Sequence, residues 1–139
     1  MNRTEVSEIL GSRGLSPLRK LGQNFLVRQD IIDRIVALVS PGSDDAVLEI
    51  GPGLGALTGP LLERAGSYTA VELDGGLADY LDEVYGNREG FTLVRGDFLR
   101  ATLPGPYTMA VSNLPYYCAS EMLFRMALVY AIPRMFVMV

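Results

Sequence analysis

The chain has 139 residues, of which 49% are hydrophobic and 20% charged, enough for one domain with a packed core and too apolar for intrinsic disorder. Twelve basic residues against sixteen acidic ones leave a net charge of -4, which disfavours a protein that holds nucleic acid by bulk charge alone. With no histidine and a single cysteine, Cys118, the sequence excludes an internal disulfide, histidine-dependent triads and a zinc centre, and no metal is expected.

The charge is unevenly spread. Before residue 35 there are six basic residues (Arg3, Arg13, Arg19, Lys20, Arg28, Arg34) and four acids, whereas the rest holds six against twelve. Such a weakly basic arm is either a contact for phosphate or ordinary solvated charge. There is no apolar run of 18 residues, and the N-terminus carries acids and arginines in place of a signal-peptide core. A cytoplasmic protein without a membrane part is expected.

In chain order, residues 4–10 have helical spacing with Val6, Ile9 and Leu10 on one face, closed by Gly11 and Gly14. Residues 15–27 follow neither period and read as an ordered loop. A helix then starts at Gln29 or Asp30, with Ile31, Ile32, Ile35, Val36, Leu38 and Val39 inward and Pro41-Gly42 at its end. Val47-Leu48-Glu49-Ile50 reads as a strand buried on both faces. It runs into Gly51-Pro52-Gly53-Leu54-Gly55, where Gly51 and Gly53 allow positive φ and close backbone approach to an anionic group at the next helix N-terminus. That helix is expected over 57–65. A second strand over 67–74 carries Glu72, an acid about 20 residues after the first glycine, the position that faces a ribose in doubly wound sheets.

A helix over 76–85, a strand over 91–95, a strand over 107–111, a helix over 120–130 and a strand over 134–139 complete the pattern. Strands alternating with helices predict an α/β fold, a doubly wound, mostly parallel sheet. In such a sheet the strand ends converge, so Gly51, Gly53, Glu72 and Asp97 would share one crevice, with Asp97 accepting from an adenine amine and Phe98 covering the base. Asp97 fits a turn or helix cap equally well. Asn113-Leu114-Pro115-Tyr116, leaving the fourth strand, suits an amine acceptor. The Asn113 amide oxygen and the Leu114 carbonyl can take two amine hydrogens, Pro115 stiffens the turn, and Tyr116 offers a ring for stacking. Cys118 reads as a small buried hydrophobe.

These residues resemble one family. Leu21-Gly22-Gln23-Asn24-Phe25-Leu26, residues 48–58, Val71-Glu72-Leu73-Asp74, Gly96-Asp97 and Asn113-Leu114-Pro115-Tyr116 occur in the order seen in the ribosomal small-subunit RNA adenine dimethyltransferases, which include the Erm resistance enzymes. The resemblance implies a SAM-dependent (S-adenosyl-L-methionine-dependent) Rossmann-like fold that methylates adenine N6 in small-subunit rRNA during ribosome biogenesis, with the 30S precursor as partner. It implies further that Asn24 and Leu26 close over the methionine end of SAM, that Gly51 lies against the cofactor, that Glu72 binds the ribose and Asp97 the adenine amine, and that Asn113 serves the reacting region. Where the family usually has a polar run after the tetrapeptide, this chain has Tyr117-Cys118-Ala119-Ser120, and only Ser120 corresponds.

On this reading residues 1–28 form an N-terminal helix and a cofactor-closing arm, and residues 29–139 form a methyltransferase domain that stops after its fifth strand, without the family's helical C-terminal RNA-binding domain. The apolar last strand is then expected to be an open edge prone to self-association. Two other readings remain at this point: an RNA-binding or assembly module with a vestigial SAM fold, and a nicotinamide-dependent oxidoreductase.

Overall fold

The computed structural model describes residues 2–14 and 28–138. Helix α1 (Arg3–Ser12) starts at a reciprocal cap, in which the Asn2 side chain accepts from the Glu5 amide and the Glu5 carboxylate accepts from the Asn2 amide. Its Val6 and Leu10 pack with Leu54 and Leu77. Helix α2 (Gln29–Val39) buries Ile32, Val36 and Val39, a stripe of three- and four-residue steps. Ile31 and Leu38, expected inward, are 37% and 72% exposed, because they fall outside that stripe. The helix stops at Ser40, in the left-handed region at φ 41° with its N–H on the Val36 carbonyl.

Five strands follow: β1 (Ala46–Ile50), β2 (Ser67–Glu72), β3 (Phe91–Arg95), β4 (Met109–Asn113) and β5 (Arg134–Met138). All neighbouring pairs are parallel, in the order β3-β2-β1-β4-β5. Between them lie α3 (Thr58–Leu62), α4 (Gly75–Tyr85), a 3₁₀ turn (Tyr116–Cys118), and α5 (Ala119–Phe124), which continues as a π turn over Arg125–Val129. Alternate residues of the central strands feed two cores. Leu48, Ile50, Val71 and Ala110 pack under α5 with Phe98 and Tyr107. Val47, Tyr68, Met109 and Val111 pack under α2 and α3. A sheet covered on both faces explains why β1 is almost wholly apolar.

The fourth strand is displaced by two residues from the expected 107–111. Its polar C-terminal end stays in the sheet because the Ser112 hydroxyl donates to the Ile50 carbonyl at 2.8 Å and is fully buried. At the other end the Thr108 amide donates to the Ala46 carbonyl at 2.9 Å, while the Tyr107 ring turns into the core. Among the described residues no helix is long and apolar enough to cross a membrane, and no group of side chains could hold a metal ion.

Candidate active site

The strand order reverses between β1 and β4, which opens a crevice at the carboxyl ends of the strands. Gly51 leaves β1 with φ 68° and its N–H on the Val71 carbonyl at 2.9 Å. A Cβ built there would come no nearer to other atoms than 3.9 Å from the Asn113 carbonyl oxygen. The ends of β1 and β4 are therefore adjacent, and backbone lines the space between them. Gly53 and Gly55 also have positive φ, 60° and 82°, so this loop is a shape that side-chain-bearing residues rarely adopt.

The sequence places the loop amides at a helix N-terminus, and the fold corrects this. Helix α3 has only five residues and begins at Thr58, and the Gly53 amide is already engaged, donating to Glu72 Oε1 at 3.0 Å. The other carboxylate oxygen of Glu72 accepts from the Asp74 amide, also at 3.0 Å. Glu72 is 4% exposed. Burial raises its carboxyl above the ordinary range, and the Asp74 and Gly53 amides oppose that rise. Gly96, next after β3, donates to the Glu72 carbonyl at 2.9 Å, which draws the end of β3 to the same place.

Asp97 follows directly. Its Oδ1 accepts from the Leu99 amide at 3.0 Å, and its carbonyl accepts from Arg100 and Ala101, so in this state the side chain caps a turn. Phe98 does not cover an external base. Its ring is 2% exposed, lies 5.8 Å from the Tyr130 ring, and has the Arg125 guanidinium 5.9 Å from its centroid. Its place after the third strand, which made it look like a base cover, instead puts it in the core beneath α5.

Asn113 is the last residue of β4 and is half-buried. Leu114 is anchored behind it, 3% exposed with its amide on the Met138 carbonyl at 2.8 Å. Pro115 holds φ at -69° before the 3₁₀ turn, and Tyr116 is 76% exposed. Asn24 and Leu26 lie outside the described residues, as do Arg19 and Lys20. Of the remaining basic residues of the arm, Arg13 pairs with Glu83 and stacks over Tyr80, and Arg28 pairs with Asp30.

One group went unremarked in the sequence. Glu49, in the middle of β1, is 3% exposed. Its Oε1 accepts from the Thr58 hydroxyl at 2.5 Å and from the Tyr68 hydroxyl at 2.7 Å. Burial pushes the carboxyl up to about 7, against the two hydroxyls and with the help of nearby Glu72. An acid inside a strand with two covered faces has to find partners, and that was the available signal.

A parallel sheet with this reversal, a glycine loop after its first strand and acids at or just after the next two strand ends defines a Rossmann-like domain, and the solved structures it resembles make it one of the SAM-dependent methyltransferase type. The profile of one family, described as ribosomal RNA adenine dimethylase, matches residues 16–139, and the chain belongs to that family. A probable ribosomal RNA small subunit methyltransferase A from Methanopyrus kandleri is 41% identical over 127 residues, 91% of this chain and 46% of that protein. A ribosomal RNA small subunit methyltransferase A from Paenarthrobacter aurescens is 43% identical over 125 residues, 86% of this chain and 43% of its own. The crystal structure of the 23S rRNA methyltransferase ErmE superposes with a TM-score of 0.68 at 34% identity, covering 81% of this chain and 45% of that one. The chain thus spans a little under half the length of the curated relatives it matches. Family membership sets the nicotinamide reading aside.

Proposed function

We propose that this chain provides the cofactor and acceptor sites of a methyltransferase that transfers methyl groups from SAM to adenine N6 in small-subunit ribosomal RNA. The observation that carries the reading is the placement of the Asn113 turn beside Gly51, at the reversal of the sheet, in a member of this family. The residues present fit the cofactor. Gly51 leaves backbone-lined space where a side chain would stand, and Glu72 offers a buried carboxylate suited to ribose hydroxyls. Asp97 would accept from the adenine amine of SAM, and Asn24 and Leu26 would close over its methionine end. When bound, SAM supplies a methyl group on a cationic sulfur.

The protein's task is to make a poor nucleophile attack. The lone pair of adenine N6 is delocalised into the ring. The Asn113 amide oxygen and the Leu114 carbonyl accept the two N6 hydrogens, which favours a pyramidal nitrogen with its lone pair directed at the methyl group. Pro115 keeps the turn stiff, and the exposed Tyr116 ring supports the base. The methylated nitrogen loses its extra proton to water, so no strong base is needed in a chain that has no histidine.

The test is transfer of labelled methyl groups from SAM to unmodified 30S subunits, with Asn113→Ala and Asn113→Asp compared in parallel. Both substitutions are expected to lower transfer far more than SAM affinity. Wild-type rates in both would refute the acceptor mechanism. SAM binding without transfer to any RNA would favour an assembly module.

A further inference from the structure

The turn that Asp97 caps is gripped by two side chains from the segment that follows α5. At its far end the Ala101 carbonyl accepts from Arg125 Nη2 at 2.8 Å and from the Tyr130 hydroxyl at 3.2 Å. The same hydroxyl accepts from the Leu103 amide at 3.1 Å. At the near end Phe98, the neighbour of Asp97, has its buried ring 5.9 Å from the Arg125 guanidinium and 5.8 Å from the Tyr130 ring. With Asp97 Oδ1 held by the Leu99 amide and Oδ2 3.9 Å from the exposed Arg100 Nε, the direction of the carboxylate follows the setting of this turn.

A regular α-helix would point residues five apart about 140° away from each other. Here the Tyr130 amide donates to the Arg125 carbonyl at 3.2 Å, the i→i+5 bond of a π turn. The widened turn brings both side chains onto one carbonyl oxygen. Arg125 is half-buried, and its Nε is buried without a hydrogen-bond partner among the described residues. Among those residues its charge meets a carbonyl and two aromatic rings, 5.9 and 5.7 Å from their centroids, in place of a carboxylate. An apolar side chain would fill the same place at a lower desolvation cost, so packing alone does not account for an arginine here.

Resting on the methyl-transfer reading above, we propose that Arg125 is a positioning residue for cofactor recognition, which by fixing the Ala101 carbonyl and the Phe98 ring sets the Asp97 carboxylate against the 6-amino group of the cofactor's purine. The protein thereby distinguishes a 6-amino purine, which donates to Asp97, from a 6-oxo purine, which presents an oxygen to it. Arg125 itself touches neither the cofactor nor the reacting atoms in this account.

The test is calorimetry with S-adenosyl-L-homocysteine and S-inosyl-L-homocysteine, which carry the 6-amino and the 6-oxo purine, run beside thermal melts. The wild type should prefer the adenosyl compound roughly 10- to 100-fold, the range for a hydrogen bond to a charged group, and Asp97→Ala should lose that preference. Arg125→Met should lower the preference roughly 2- to 30-fold, the range for a residue that acts without touching the ligand. Arg125→Lys, which keeps the charge and a donor but not the flat guanidinium, should lie between Arg125→Met and the wild type. In the double variant Asp97→Ala/Arg125→Met the preference should fall no further than in Asp97→Ala alone. A wild-type preference in Arg125→Met, or both compounds weakened by the same factor, would overturn the inference and leave the methyl-transfer reading intact. If Arg125→Met does not fold, a wild-type preference in Arg125→Lys overturns it instead. A wild-type protein that binds the two compounds equally, or neither, would refute the role of Asp97 on which the inference rests, and the inference with it.

Discussion

Glu49→Gln is expected to stabilise the fold above pH 7 and to change it little at pH 5. In the folded protein the Glu49 carboxyl titrates near 7, against an ordinary value of 4.5, so between those values the folded state holds a proton that the unfolded chain has released. Stability from this group is fully present below pH 4.5 and is lost as pH rises through 7. The gap, at ~1.4 kcal/mol for each tenfold in proton affinity, corresponds to about 3 kcal/mol at full ionisation. In the Glu49→Gln variant the side-chain amide carbonyl would still accept from the Thr58 and Tyr68 hydroxyls, whereas the charge beside Glu72 would be gone. For a chain of this size the gain at pH 8.5 amounts to roughly 10 °C in Tm. The assay is urea and thermal unfolding of both proteins from pH 5 to 8.5. Glu72, also raised by burial, slopes the same way in both and largely cancels in their difference. A difference that does not vary with pH, or a variant less stable than wild type at pH 8.5, would refute the account of Glu49 as a buried acid with no cation beside it among the described residues.

Glu72→Ala should weaken SAM binding by about 1.5–3 kcal/mol, the range for a hydrogen bond to a charged group, and calorimetry decides it: an unchanged Kd would leave Glu72 as a tie for the Gly53 and Asp74 amides only. Gly55→Ala forces a side chain into φ 82° with its Cβ 2.8 Å from the Tyr85 ring, and a loss of about 1–3 kcal/mol in urea unfolding is expected. In the described sheet β5 pairs only with β4, so its outer edge is open to another chain. Lysine at Phe136 or Val137 would disturb packing, because both side chains lean on the cores. Met135, 38% exposed, is the better site, and Met135→Lys should shift any concentration-dependent association in sedimentation velocity towards monomer.

Elements whose signal is local were legible in the sequence. β3 spans the expected residues, α4 differs by one, and both have sharp ends, at Gly96 and at the Asp74 cap whose carboxylate accepts from the Leu77 amide at 2.9 Å. Strand four was misplaced because a polar residue ends an apolar run on paper. In the fold, Ser112 continues the strand by donating to a carbonyl 62 residues away. The inward list for α2 was too long for a similar reason: hydrophobic identity does not say which residues the sheet will cover.

The same division runs through the site. The positions of the glycine loop, Glu72, Asp97 and the Asn113 turn follow from the sequence alone, since a parallel sheet brings the residues at and just after its strand ends to one edge. That Phe98 is core, that Gly53 is held by Glu72, and that Glu49 shares one oxygen between Thr58 and Tyr68 were decided by the tertiary structure. Those partners lie 9 and 19 residues from Glu49, and only the parallel pairing of β1 with β2, with α3 packed across them, brings them within hydrogen-bond distance and removes the water that would otherwise solvate the charge.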